Sequence, residues 1–274
     1  MLLTVDVGNT NTVFGGFLGD KLCFVSRIAT SKGFTEDEYA VKLKGILNLH
    51  NVTAQTISGA IISSVVPQLT PVIKSAIKTI YNVDALIVGP GMKTGINLLA
   101  DNPAQVGADL ICGCVAAHNA HPDGCVILDL GTATKILVVD KNGAFLGACI
   151  IPGVEIAMNA LASNTALLPQ IAPEAPKHII GKNTVDCMLS GIIYGNAYMI
   201  DGMLERIHDE FECDMTYIAT GGLSELIIPH CKHNIEIDSD LILKGLKILY
   251  EKIYLILRFC VGGQSEVLRP WQRS

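Results

Sequence analysis

Residues 2–11, LLTVDVGNTN, and residues 126–135, VILDLGTATK, share one pattern: an apolar run, then Asp-x-Gly, then a cluster of small hydroxyl and amide side chains. The runs Leu2 to Val7 and Cys125 to Leu130 have the length and composition of strands, and the glycine behind each one marks a turn. Glycine at a strand-to-turn junction lets the backbone come close to a ligand, and successive amide hydrogens there can cradle phosphate oxygens. A carboxylate at the strand end, as Asp6 and Asp129 would be, can hold a cation or orient its water shell. Asn9, Thr10, Thr12, Thr132 and Thr134 add neutral donors. Either copy alone could merely turn a hairpin. Two copies at equivalent places in halves of similar length point to a pair of loops that clamp a polyphosphate from two sides.

The surroundings of the two copies are alike. After the first, the pattern predicts strands over Thr12 to Leu18 and Lys21 to Ile28 around a Gly19-Asp20 turn. A helix follows, carrying Tyr39, Leu43, Ile46 and Leu47, with Thr35 and Asp37 as possible caps. Then come a strand over Gly59 to Ser64, a helix over Thr70 to Tyr81 and a strand over Ala85 to Val88. After the second copy, strands are expected over Ile136 to Asp140 and Phe145 to Ile151 around Asn142-Gly143. A long helix over Val185 to Phe211 and a strand over Tyr217 to Ala219 come next. Strands followed by alternating helix and strand predict an α/β protein of two duplicated domains, each a mixed sheet flanked by helices. The turn composition of NAHPDG, from Asn119, places the boundary so that the domains are 1–118 and 119–274.

Composition narrows the partners. The 274 residues are half apolar, enough for one large core or two smaller ones, and the net charge is −6 with the basic residues scattered. No basic footprint for nucleic acid or for an anionic membrane stands out. The apolar stretch from Ile253 to Val261 is too short to span a bilayer and contains Arg258. Nine irregularly spaced cysteines and an N-terminus that reads as a strand, not a signal peptide, predict a cytoplasmic protein without a disulfide framework. Walker and dinucleotide-binding glycine signatures are missing; GPGMKTG at Gly89 has Met92 where a Walker loop needs glycine.

Further stretches occur in a fixed order: RIAT at Arg27, TEDEY at Thr35, SSVVP at Ser63, DNPAQVGAD at Asp101, IIPG at Ile150, GKNTVDCMLSGIIYG at Gly181 and ATGGL at Ala219. With DVGNTNT at Asp6, GPGMKTG and DLGTAT at Asp129, the sequence resembles the actin, sugar-kinase and Hsp70 superfamily, and within it the type III pantothenate kinases, from Met1 to about Tyr250. The resemblance implies ribonuclease-H-like, actin-like ATPase domains with ATP in the cleft between them. It implies phosphorylation of pantothenate to 4′-phosphopantothenate, the first step of coenzyme A synthesis, by a homodimer that uses magnesium or another divalent cation and potassium or ammonium. By position, Asp109 matches the proton acceptor, and Asp6, Val7, Gly8, Asn9, Thr10, Asn11, Thr12, Val13 and Thr132 match ATP-binding positions. Ala100, Gly107, Ala108, Leu110 and Thr184 fall, with Asp109, on pantothenate-binding positions. Asp129 matches the monovalent-cation ligand, and Asp6 would meet the divalent cation, through water if not directly.

From the residues alone Asp109 could equally be an acidic residue favoured at the start of a helix. Asp101 and Asn102, before Pro103, could simply cap that same helix, and NTVD at Asn183 could begin the long helix. The histidines, His118, His208 and His230 among them, fall outside every motif.

Four positions depart from the family pattern. Ala100 stands in the place of an aromatic residue, Leu110 in that of an arginine expected to pair with the carboxylate of pantothenate, Gly113 in that of a common asparagine, and Lys135 in that of a frequent threonine. Losing a charged donor to a carboxylate costs about 1.5–3 kcal/mol. The sequence therefore predicts a kinase with weakened or altered acceptor recognition. The alternatives are a non-catalytic nucleotide-binding or regulatory paralogue and a kinase for another small acceptor. From about Ile253 the chain also continues past the family's usual end, and GGQSEVLRPWQRS reads as an unstructured extension.

Overall fold

The computed structural model describes residues 1–260, and its elements follow the expected order. The first half contains β1 (Leu2–Val7), β2 (Asn11–Leu18), β3 (Lys21–Ala29), α1 (Glu36–Leu49), β4 (Gly59–Ser64), α2 (Leu69–Tyr81) and β5 (Leu86–Ile87). Next come β6 (Asn97–Leu98), α3 (Ala108–Ala120), β7 (Cys125–Leu130), β8 (Ala133–Val139) and β9 (Ala144–Pro152). The chain then forms α4 (Val154–Asn164), α5 (Thr184–Phe211), β10 (Thr216–Thr220), α6 (Ser224–Ile227), β11 (Ile235–Ile237) and α7 (Leu241–Cys260).

In the first sheet the strand order is β3-β2-β1-β4-β5, with β2 antiparallel to its neighbours and β4 and β5 parallel to β1. Strand alternation gives β1 two different faces. Leu3, Val5 and Val7 enter the core shared with α1 and α2, where Tyr39, Leu43, Leu69, Ile73 and Ile77 are buried. Leu2, Thr4 and Asp6 point the other way. Of the two caps the sequence proposed, Thr35 is the one that starts α1, and it does so in a capping box with Glu38.

The second sheet reads β9-β8-β7-β10-β11 in the corresponding direction, with β6 added outside β9. Again the middle hairpin is antiparallel and the later strands are parallel to the first. Val126, Leu128 and Leu130 of β7 enter a core with Ile193, Ala197 and Ile200 of α5, so Asp129 lies on the opposite face. Duplication thus extends from the repeated decapeptide to the order and direction of the strands.

One cut at 118/119 does not describe how the chain divides. One compact unit holds residues Met1–Ile96 and Asn102–Ala116 together with α7; the other holds Asn97–Asp101 and Ala117–Asp240. Helix α7 belongs with the first unit because it packs on β1, β2 and β4, burying Leu243, Leu246 and Leu249. Its buried Lys247 ties Asp20 at 2.8 Å and Glu251 at 3.0 Å. Residues 97–101 join the second unit because Asn97 donates a backbone hydrogen bond to Gly143, just before β9, and Leu99 donates one to Phe145 of the β9 edge. The stretch from Ile253 continues α7 as far as Cys260. The remaining extension, GGQSEVLRPWQRS, lies outside the described residues. Among those residues no helix is long and apolar enough to cross a membrane.

Candidate active site

The first Asp-x-Gly turn is a tight one. Gly8 donates its N–H to the Asn11 carbonyl at 2.9 Å, leaving Asn9 and Thr10 exposed at the tip. Thr30, just past β3, braces it from outside. Its Oγ1 donates to the Gly8 carbonyl at 2.8 Å and shares a 2.9 Å hydrogen bond with Thr12 Oγ1, and its N–H reaches the Thr10 carbonyl at 2.9 Å. Of the residues matched to ATP binding, Val7 and Thr12 are fully buried, so their side chains shape the turn and only their backbone is left for a ligand. Thr30 is a positioning residue that residue-by-residue reading missed; its signal was the RIAT motif.

Asp109 lies in the first turn of α3, half-buried, and its Oδ1 accepts the Leu110 N–H at 2.9 Å. Gly107 makes that placement possible, since a Cβ there would overlap Asp109 Oδ1. One turn further, Cys112 is fully buried. Burial first, then the carboxylates of Asp6 and Asp109, push its thiol well up. The thiol stays neutral, and the Asp6 and Asp109 carboxylates both act on it. Gly107→Ala should retain the melting temperature, because only the mobile end of Asp109 must yield, yet lower kcat about tenfold by displacing the carboxylate. Melting curves and initial rates on one preparation test this.

The second turn, Gly131-Thr132, joins β7 to β8 with Thr132 exposed. Asp129 and Lys135 face each other across the antiparallel ladder, and Lys135 Nζ lies 2.8 Å from Asp129 Oδ2. Gly221 closes on this turn. Its φ of +96° is in glycine's territory, and a Cβ on it would run into the backbone of Leu130. Gly221→Ala is expected to cost about 1–3 kcal/mol from backbone strain alone. A fall in melting temperature and a weaker ATP affinity, followed by calorimetry, would report the displaced turn.

The remaining candidates are more dispersed. Thr184 is the first residue of α5, exposed, and Asn183 rather than Thr184 caps the helix, its Oδ1 accepting the Asp186 N–H at 2.9 Å. Thr184 lines an open depression of about 840 Å³ with Gly181, Lys182, Cys187, Met188 and Leu161. Ala100 is half-buried just past β6 and offers only a methyl group. Asn102 stands before the single turn Pro103–Gln105 but makes no side-chain cap. Leu110, half-buried beside Asp109, puts an isobutyl group where a charged donor was expected. Among the described residues no three His, Cys, Asp or Glu side chains are grouped to hold a metal ion by themselves.

Known proteins share both the fold and the sequence. The activator of the 2-hydroxyisocaproyl-CoA dehydratase from Clostridium difficile with bound ADPNP superposes with a TM-score of 0.56 over 97% of this chain and 99% of its own, at 13% identity. That likeness is one of fold alone, and the fold is the actin-like ATPase and sugar-kinase one. Sequence similarity is much stronger to the type III pantothenate kinase of Myxococcus xanthus, 39% identical over 91% of this chain and 98% of the relative. The type III pantothenate kinase of Geobacillus sp. is 42% identical over 92% of this chain and 98% of its own. A family model described as type III pantothenate kinase matches residues 2–206, which span both Asp-x-Gly turns, Asp109 and Thr184. The chain therefore belongs to the type III pantothenate kinase family.

Proposed function

We propose that this chain transfers the γ-phosphoryl group of ATP to the hydroxyl of pantothenate, giving 4′-phosphopantothenate and ADP. The observation that carries the reading is Asp109, held in the first turn of α3 beside a glycine that leaves room for its carboxylate. As the pantothenate oxygen attacks the γ-phosphorus, Asp109 takes the hydroxyl proton, and ADP leaves with the bridging oxygen. The amides of the Gly8–Thr10 turn and of the Gly131-Thr132 turn bind phosphate oxygens, and Asn9, Thr10 and Thr132 add side-chain donors.

A divalent cation fits at Asp6, whose Oδ1 is buried at the end of β1 and supplies the hard oxygen such an ion prefers. When bound, it neutralises charge on the phosphates. A potassium or ammonium ion at Asp129 does not fit as the resemblance implies, because Lys135 already contacts that carboxylate. We also assign a homodimer. Ile156, Leu161, Leu167, Ile180, Val185 and Tyr198, on and between α4 and α5, are exposed, apolar side chains that a second copy would cover. Leu110 favours a second reading, in which the acceptor is a neutral relative of pantothenate. ADP release with ATP and magnesium, with pantothenate or with its carboxamide, tests both. Turnover that requires pantothenate supports the first reading, preference for the amide the second, and no acceptor-dependent turnover refutes both.

A further inference from the structure

The ion pair at the second turn bears on how this kinase is activated. Asp129 is 8% exposed, and Lys135 Nζ is 2.8 Å from its Oδ2. The contact is built into the sheet. The two residues are directly opposed in the β7–β8 ladder, so their side chains leave the same face a few ångströms apart. Both flank the Gly131-Thr132 turn, and Thr132 is exposed at its tip. A lysine ammonium is a compact single positive charge with three donors. In charge it matches potassium, but it is tethered, so its presence at Asp129 does not depend on the salt concentration. A potassium ion entering at that carboxylate would have to displace Nζ or share one negative charge with a second positive one.

We infer that Lys135 is the built-in monovalent cation of this enzyme: its ammonium supplies at Asp129 the charge that added potassium or ammonium would otherwise supply, so nucleotide binding here needs no monovalent salt. The inference rests on the nucleotide role proposed for the Gly131-Thr132 turn. Lys135 is a positioning residue in this scheme, acting on the turn through Asp129.

The test is calorimetric titration of the whole chain with ATP and magnesium, in potassium chloride and in tetramethylammonium chloride at equal ionic strength. Wild type is expected to give dissociation constants within about twofold of each other in the two salts. Lys135→Thr should bind about tenfold more weakly in tetramethylammonium and recover in potassium, whereas Lys135→Arg, which keeps the charge, should be indifferent to the salt. Wild-type affinity that strengthens about fivefold or more with potassium overturns the inference, as does a folded Lys135→Thr that binds equally in both salts. Should Lys135→Thr fail to fold in either salt, the wild-type and arginine titrations decide, and a potassium response in either counts against it. Absence of ATP binding in both salts refutes the nucleotide reading itself, a result distinct from ATP binding that potassium improves.

Discussion

Asp109→Asn is expected to lower pantothenate-dependent ADP release by about a hundredfold to ten-thousandfold, the range over which a positioned general base contributes. Asparagine keeps the shape of the side chain and an oxygen that can accept the Leu110 N–H, so the start of α3 should survive. It cannot take a proton from the attacking hydroxyl. ATP affinity should stay within about twofold of wild type, since Asp109 lies outside both Asp-x-Gly turns. Steady-state kinetics paired with ATP titration separate the effects: a lost kcat with unchanged nucleotide binding is the expected pattern. Turnover near the wild-type rate would place the base elsewhere and remove the reason for Gly107 to be small.

Leu110→Arg is expected to act in the opposite direction. If the position faces the carboxylate of pantothenate, a guanidinium there gains a charge-assisted hydrogen bond of about 1.5–3 kcal/mol. The Michaelis constant for pantothenate should then fall by about tenfold to a hundredfold with kcat little changed, because the contact is made equally in the ground and transition states. The half-buried setting of Leu110 leaves one side of the residue in solvent, so a longer side chain need not enter the core. The carboxamide of pantothenate serves as the control, since its affinity should not improve. An unchanged Michaelis constant for pantothenate would show that this chain reads its acceptor from other residues and would strengthen the reading of a neutral acceptor.

The strands that position the site were legible because their apolar runs end at glycines, and the duplicated order was legible because both runs carry the same punctuation. What the sequence concealed was tertiary. Beginning the strand at Ile136 leaves Lys135 outside it, whereas β8 begins at Ala133, and only that register sets Lys135 against Asp129. Helix α4 went unrecognised because it is short and follows IIPG directly, without a side-chain cap. The strands β6 and β11, of two and three residues, exist only through their partners. The role of Thr30 depends on β3 returning beside the β1–β2 turn, a contact across 22 residues of sequence. Family resemblance singled out Asp109 as the candidate base, a role its helix-start position alone does not suggest, and it made Leu110 notable only as a departure.

Helix α7 bears on the order in which this protein can be made. During synthesis, β1, β2 and β4 leave the ribosome more than a hundred residues before the helix that packs on them. A nascent chain therefore carries the face of β1 that includes Leu2, Thr4 and Asp6 without that cover until translation has passed Cys260, although the α1–α2 side can assemble early. The second unit, made of Asn97–Asp101 and Ala117–Asp240, faces no such delay. A ribosome stalled shortly before Leu241 would release a polypeptide whose later-made half is ready to fold and whose first-made half is not.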